Sequence, residues 1–292
     1  PIGLGMCDCL CAEHFDEENI VYWMAFQILM GNVDTQNRNV YLYSPLNSDI
    51  WYFIAWDNDG CLMRPEYELR NFSDQNSWEK GISNYWGNIL FQRCLKSRSF
   101  REKLNDAILD LREYLNKDML TSKIESYKNV LKPYLYLMPD AEYEPLTSEQ
   151  YDQIAASLPD EIEKNYQLYL ESLETPMPFY IGVPTIDGDK LKFNWDVSYD
   201  LDAEDITYSV EVAGDYLFRD VIYQNTTLTV PEAEMDLPKA GQYFVRVRAT
   251  NTSGKTQDAF DYYVTDEGKY YGMRCFYITE DSTVEEDDYE EG

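Results

Sequence analysis

Asp34, Asn39, Asp57 and Asp59 bring three carboxylates and an amide into residues 34–59, between segments that are otherwise apolar. Acids are among the residues least often buried unless something pairs with them. The run FIAWDNDGC (53–61) therefore raises the question of what Asp57 and Asp59 meet. Carboxylates and an amide that converge are hard oxygen ligands, suited to Mg2+ or Mn2+ with a phosphate completing the shell. Asn32 and Asn37 are further oxygen donors in the same region.

The flanking elements decide whether these groups meet. DEENIVYWMAFQILMGN (16–32) reads as a central helix, apolar around much of its girth. Asp16 stands as N-cap, acids fill the first turn, and Gly31 sits where helices stop. A polar loop (33–39) leads into two short aromatic runs, VYLYS and DIWYFIAW, separated by PLNS, a pattern that predicts a β-hairpin. Asp34 then lies just past the helix, Asn39 opens the first strand and Asp57 closes the second, so the hairpin brings all three together.

From Trp86 to Leu173 apolar residues recur at three-four spacing. FREKLNDAILDLREYLNKDML and SKIESYKNVLKPYLYL are helical, and a further pair of helices covers roughly 148–173. Pro176, Pro178 and Pro184 mark a linker. Beyond it, strands are expected at 191–195, 206–213, 227–230, 241–251 and 258–264, the spacing of a β-sandwich. The expected fold class is α+β, a helix-rich part with a small hairpin followed by an all-β sandwich.

In protein kinases a catalytic-loop Asp accepts the proton of the acceptor hydroxyl, an Asn five residues on holds one Mg2+, and a later strand-end Asp holds the other. Asp34, Asn39 and Asp57 repeat that order without an HRD or a DFG. The longer strings GNVDTQNRNVYLY and WYFIAWDNDG resemble the spore coat protein H (CotH) kinase family over roughly residues 1–173. The resemblance implies an atypical protein-kinase-like C-terminal lobe that uses ATP and Mg2+ or Mn2+. It makes Asp34 the catalytic-loop acid, and Asn39 and Asp57, with Asp59, the metal and cofactor ligands. It also implies a protein or coat/surface-protein partner and an extracellular, cell-surface or spore-coat location. Trp195 and MDLPKAGQYFVRVRAT (235–250) resemble a fibronectin type III module, in which Trp195 fills the core and Tyr243 makes a corner bond. The expected domains are 1–175, 176–265, and 266–292 as a final strand and acidic tail.

A kinase also needs a lysine on the nucleotide phosphates, ahead of the catalytic loop. No lysine precedes Lys80, no arginine precedes Arg38, and IGLG at the start is too short for a phosphate loop. With Pro1 opening the chain, the expectation is a lobe without its N-terminal partner and with little activity alone. The competing class is a non-catalytic surface or coat-assembly protein. A third uses Asp34 and Asp57 as the paired carboxylates of a glycan-processing enzyme.

Plainer readings stand beside these. Asp57–Gly60 also fits an Asx-type turn with its acids in water. Asp57, Asp59, Gly60 and Glu66 fall at positions 3, 5, 6 and 12 of a calcium loop, but Ala55 would hold position 1. Cys7, Cys9 and Cys11 with His14 could hold zinc, or simply face a core. Asn71, Asn225 and Asn251 head glycosylation sequons. The net charge of −30 argues against nucleic acid as a partner. No stretch has the roughly 18–20 apolar residues of a membrane span.

Overall fold

The computed structural model describes residues 13–62, 78–144, 146–266 and 268–286. Glu66, Asn71 and the Cys7–Cys9–Cys11 run lie outside the described residues, as does the end of the acidic tail. The fold is mixed α/β, with five α-helices and several antiparallel sheets among the described residues. It divides into two compact units: residues up to 63 together with 90–169, and 64–89 together with 170 onward.

The first unit is built on α1 (Glu17–Leu29). Asp16 caps it by accepting from the Asn19 N–H at 2.9 Å, which satisfies one of the donors that every helix start leaves open. At the other end Gly31 has φ +63°, the Asn32 N–H returns to the Gln27 carbonyl, and the Gly31 N–H to that of Ile28. This pairing closes a helix through a left-handed residue. Ile20, Met24, Ala25 and Leu29 are fully buried, and α1 packs on α3 (Arg98–Tyr114). Trp23 stacks on Phe91 of α2 (Ile89–Lys96), while Phe53 lies against both rings. Next come α4 (Lys117–Leu135) and α5 (Ser148–Glu174). The predicted helix pair at 148–173 is thus one helix, with Pro159 accommodated inside it.

The hairpin consists of β1 (Tyr41–Tyr43) and β2 (Tyr52–Ile54), antiparallel with Leu42 opposite Phe53. This is the predicted hairpin, and of its strand residues only Phe53 is buried. Tyr41, Tyr43, Ile54 and Trp56 are exposed, with the Tyr41 and Trp56 rings 4.9 Å apart.

In the second unit β3 (Thr185–Asp187), β4 (Lys190–Asn194) and β7 (Glu232–Asp236) form one sheet in the order β3-β4-β7. A second sheet runs β13-β12-β8-β5-β6, from β5 (Ile206–Ala213), β6 (Val221–Leu228), β8 (Gly241–Asn251), β12 (Met273–Ile278) and β13 (Val284–Glu286). Alternate residues of the two sheets, among them Leu191, Phe193, Val210, Val247 and Phe276, share one core with Trp195. Between β8 and β12 the chain forms β9 (Thr256–Asp258) on the edge of β8, then a hairpin of β10 (Tyr262–Thr265) and β11 (Gly268–Tyr271). The strand expected at 258–264 is two strands, β9 ending at Asp258 and β10 beginning at Tyr262, and β12 also pairs with β8. Part of the acidic end, 284–286, is a strand and not solvated tail.

Residues 78–89, of which the sequence pattern made only 86–89 helical, belong to this second unit. The Trp78 indole N–H donates to the Phe260 carbonyl at 3.1 Å. Glu79 accepts from Lys269 at 2.6 Å and from the Tyr271 hydroxyl. These are long-range pairings that local periodicity cannot announce. Among the described residues no helix is long and apolar enough to cross a membrane.

Candidate functional site

The site begins where α1 ends. Asn32, buried to 2 % exposure, follows the Gly31 turn and accepts from the Asp34 N–H at 3.3 Å. This caps a short 3-10 turn, Val33–Thr35, that presents the Asp34 carboxylate to solvent. Thr35 is fully buried and donates its hydroxyl to the Asn32 carbonyl, so the turn is pinned from below. From α5, the Asn165 amide donates to the Leu29 carbonyl at 3.0 Å, one that the helix end leaves open. Its side chain lies where any Cβ on residue 31 would fall, 2.6 Å away, so position 31 requires glycine twice over.

Asn39 has φ +53°, the left-handed region that asparagine tolerates better than most residues. That conformation turns its side chain back, and its Nδ2 donates to Oδ2 of Asp34 at 2.8 Å. Hence Asp34 and Asn39 do meet, through a bond that leaves the amide oxygen of Asn39 and one oxygen of Asp34 outside the pair.

Asp57 does not end β2, which stops at Ile54; it lies in the left-handed region, with φ 48° and ψ 61°. A 3-10 turn, Asn58–Gly60, follows. Two ties hold this loop to the end of α1. The Leu62 N–H donates to the Met30 carbonyl at 2.7 Å. The Asn58 side-chain oxygen accepts from Gln27 Nε2 at 3.0 Å and from Asn32 Nδ2 at 3.3 Å, while Asn32 also donates to Gln27 Oε1 at 3.0 Å. Gln27 is 1 % exposed, so this amide cluster is an interior network in which each member satisfies another. Gly60 completes the junction, for a Cβ there would lie 2.9 Å from Asn32 Oδ1 and 3.8 Å from the Asp34 Cβ.

The exposed carboxylates of Asp34, Asp57 and Asp59 end up as electrostatic neighbours. The charge of Asp59 raises the Asp57 carboxyl above the usual carboxylate range, helped by partial desolvation, a hydrogen bond with Asp59 and the charge of Asp34. Burial pushes the Cys61 thiol up to about 11, against a hydrogen bond with Asn32 and with help from Asp59. Asp57 and Asp59 thus repel each other, a repulsion that a cation would relieve. Among the described residues no three acidic, His or Cys side chains converge closely enough to hold a metal ion by themselves. A divalent ion at Asp57 and Asp59 would then draw on the Asn39 amide, water and phosphate, as Mg2+ commonly does.

Sequence reasoning placed Asp34, Asn39, Asp57 and Asp59 in one neighbourhood. Asn37 is exposed in the same loop, and Asn32 is engaged in the interior network. Gln27, Asn58 and Asn165 position the site, a role the sequence reading did not give them; the one available signal was an amide at position 27 inside an otherwise apolar helix face. His14 is exposed, and its carbonyl accepts from Trp51 N–H. The Asn251 amide is 4 % exposed and donates to Glu174 and Asp200, which closes that sequon.

A helix, an acid-bearing turn, a short hairpin and a second acid-bearing turn follow one another in this unit, with further helices after them. A family profile described as CotH kinase protein matches residues 10–169, more than half of the chain. The chain belongs to the CotH kinase protein family, and the matched stretch includes all four candidate residues. No curated protein sequence matches it. Among solved structures, the twitchin kinase region of C. elegans (Fn31-NL-kin-CRD-Ig26) is 15 % identical over 32 % of this chain and 20 % of its own, with a TM-score of 0.24. Surface layer protein SbsC, domains 1–6, is 14 % identical over 70 % of this chain and 33 % of its own, with a TM-score of 0.18. The chain thus spans a fifth and a third of those two structures, and at these scores neither defines its fold.

Proposed function

We propose that residues 13–62 and 90–169 form the catalytic-loop side of an atypical ATP-dependent protein kinase acting on Ser or Thr of a secreted or coat protein. The observation that carries the reading is the Asn39–Asp34 bond at 2.8 Å beside the mutually repelling Asp57 and Asp59. In this reading Asp34 is the base. Its Oδ2 is held by Asn39, and its other oxygen takes the acceptor hydroxyl proton as the hydroxyl oxygen bonds to the terminal phosphorus of ATP and the bond to the departing ADP breaks. Asn39, Asp57 and Asp59 hold Mg2+ or Mn2+, which when bound neutralises charge on the nucleotide phosphates. The exposed Tyr41–Trp56 face borders the acids. Residues 1–79 contain no lysine, so in this reading the ammonium that a kinase sets on the nucleotide phosphates comes from outside that stretch.

We also infer a fibronectin type III-like module for the sandwich. The Tyr243 hydroxyl donates to the Lys239 carbonyl, four residues upstream, at 2.9 Å, and Trp195 sits in the shared core. Such modules favour an extracellular, cell-surface or spore-coat setting.

A second reading is a non-catalytic coat or surface assembly protein. Calorimetric titration of Mg2+ and Mn2+, with and without ATP, into wild type and Asp57→Asn separates them. Metal-dependent nucleotide binding that vanishes in the variant supports the kinase reading. Wild type that binds neither, alone or with added upstream sequence, leaves the assembly reading.

A further inference from the structure

The loop that presents Asp34 also carries a cation. Residues 13–62 hold eight aspartates and glutamates but a single lysine or arginine, Arg38, so the side-chain charge this stretch can offer an anion comes from that residue. Arg38 stands four residues after Asp34 and immediately before Asn39. The bond from Asn39 Nδ2 to Asp34 Oδ2, at 2.8 Å, closes residues 34–39 into a ring. Thr35 is fully buried and ties the ring to the Asn32 carbonyl, while Asp34, Asn37 and Arg38 are exposed. The Cα atoms of Arg38 and Asn39 are one trans peptide, about 3.8 Å, apart, and the guanidinium extends from there on three methylenes. A group bound at the Asn39 amide is therefore within the span of that side chain.

Charge decides what the guanidinium meets. Asp34, Asp57 and Asp59 are electrostatic neighbours, and a divalent ion among them still leaves the group with a net negative charge. A nucleoside triphosphate brings several negative charges more, and like charges a few ångströms apart repel near a protein surface. Arg38 brings the three acids and their ion to neutrality. Its planar fork also matches phosphate oxygens two at a time, which a lysine ammonium does not. In a kinase the lysine pairs with the two inner phosphates, which leaves the terminal one to the metal and to the loop that bears the base. The charged donor of that loop is here Arg38.

We propose that Arg38 grips the terminal phosphate of the nucleotide, while the ion at Asn39, Asp57 and Asp59 holds the same phosphate from its other side. The inference rests on the kinase reading above and deepens it. It makes the ligand of this loop a nucleoside triphosphate in preference to a diphosphate, because only the triphosphate has the group that Arg38 meets.

Calorimetry of the 292-residue chain at pH 7 and fixed ionic strength tests this, with Mn2+ alone, Mn2+–ATP and Mn2+–ADP titrated into wild type, Arg38→Gln and Arg38→Lys. Loss of a positive charge beside three carboxylates makes the site more attractive to a bare cation. Arg38→Gln is therefore expected to bind Mn2+ alone about two- to five-fold more tightly. The same variant is expected to bind Mn2+–ATP about 10- to 100-fold more weakly, the range for losing a hydrogen bond between charged groups, and Mn2+–ADP nearly as well as wild type. Arg38→Lys keeps the charge without the fork and falls between. Thermal melts check that both variants are folded. A variant that weakens Mn2+ and Mn2+–ATP together assigns Arg38 to the shape of the loop and overturns the proposal. Equal losses for ATP and ADP place it on the inner phosphates and overturn it too. Wild type that binds Mn2+–ATP with both variants unchanged overturns the role of Arg38 and leaves the kinase reading standing. Wild type that binds neither ion nor nucleotide defeats that reading, and this inference with it.

Discussion

The amide of Asn39 reaches back five residues to the carboxylate of Asp34, 2.8 Å away, because Asn39 itself occupies the left-handed region at φ +53°. Backbone and side chain are therefore separable by mutation. Asn39→Ala places an ordinary side chain at positive φ and should cost about 1 kcal/mol, while Asn39→Gly should cost only a few tenths. Both lose the bond that orients Asp34. If the kinase reading holds, both weaken Mn2+–ATP binding alike despite their different stabilities. Urea midpoints for the first effect and calorimetry for the second check this. Equal destabilisation by both would show that the backbone at residue 39 is not what the asparagine relieves.

Asp57 offers a pH dependence of unusual sign. Its folded carboxyl is raised, chiefly by Asp59, so the charged form costs the folded state stability, and protonation relieves that cost. Asp57→Asn, which keeps a residue tolerant of positive φ, should melt no lower than wild type at pH 7. The two curves should converge as pH falls through the raised carboxyl range and Asp57 takes up its proton. Added Mg2+ should raise the melting temperature of wild type at pH 7 more than that of the variant. A variant that melts well below wild type without metal would mean Asp57 is held by an attractive partner.

Gly60 tests the link between the two turns. The Cβ of Gly60→Ala would fall 2.9 Å from Asn32 Oδ1, the atom that caps the Asp34 turn. Asn32 is buried and bonded to Gln27 and Asn58, so it has little room to yield. The expected cost is about 1–3 kcal/mol, the range for forcing a methyl into a packed interior. Hydrogen exchange should show the Asp34 amide losing protection in step. Loss of stability with that amide unchanged would uncouple the two loops.

How much of this was legible follows from the range of the interactions involved. Asp16 and Gly31 marked the ends of α1 because caps act within a few residues, and both are seen. β5 and β8 showed in their alternating apolar residues, and the corner bond in the position of Tyr243. β7, with the sequence EAEMD, did not, because its exposed face is acidic and its place depends on pairing with the distant β4. Residues 78–89 join the second unit through Phe260, Lys269 and Tyr271, far along the chain. The candidate acids stood out by type, whereas the Gln27–Asn32–Asn58 network that places them is made of amides, common anywhere. The hairpin was legible, but not its exposure, because Tyr41 and Trp56 read the same in sequence whether covered or open.

Cys61 can report on the acid cluster without any assay of phosphate transfer. Burial raises its thiol to about 11, and the charge of Asp59 adds to the rise. Against a free thiol near 8.5, that leaves about two to three orders of magnitude less thiolate at neutral pH, so alkylation by iodoacetamide should be slower by a similar factor. Asp59→Asn removes one contribution and should speed the reaction several-fold at pH 8. A divalent ion bound at Asp57 and Asp59 acts in the same direction by neutralising the same charge. Mn2+ should therefore accelerate Cys61 labelling in wild type and do so far less in Asp57→Asn. Mass spectrometry of the peptide spanning residue 61 gives the rate. Acceleration in both proteins alike would place the ion elsewhere, and labelling as fast as a free thiol would mean that the burial around Asn32 opens in solution.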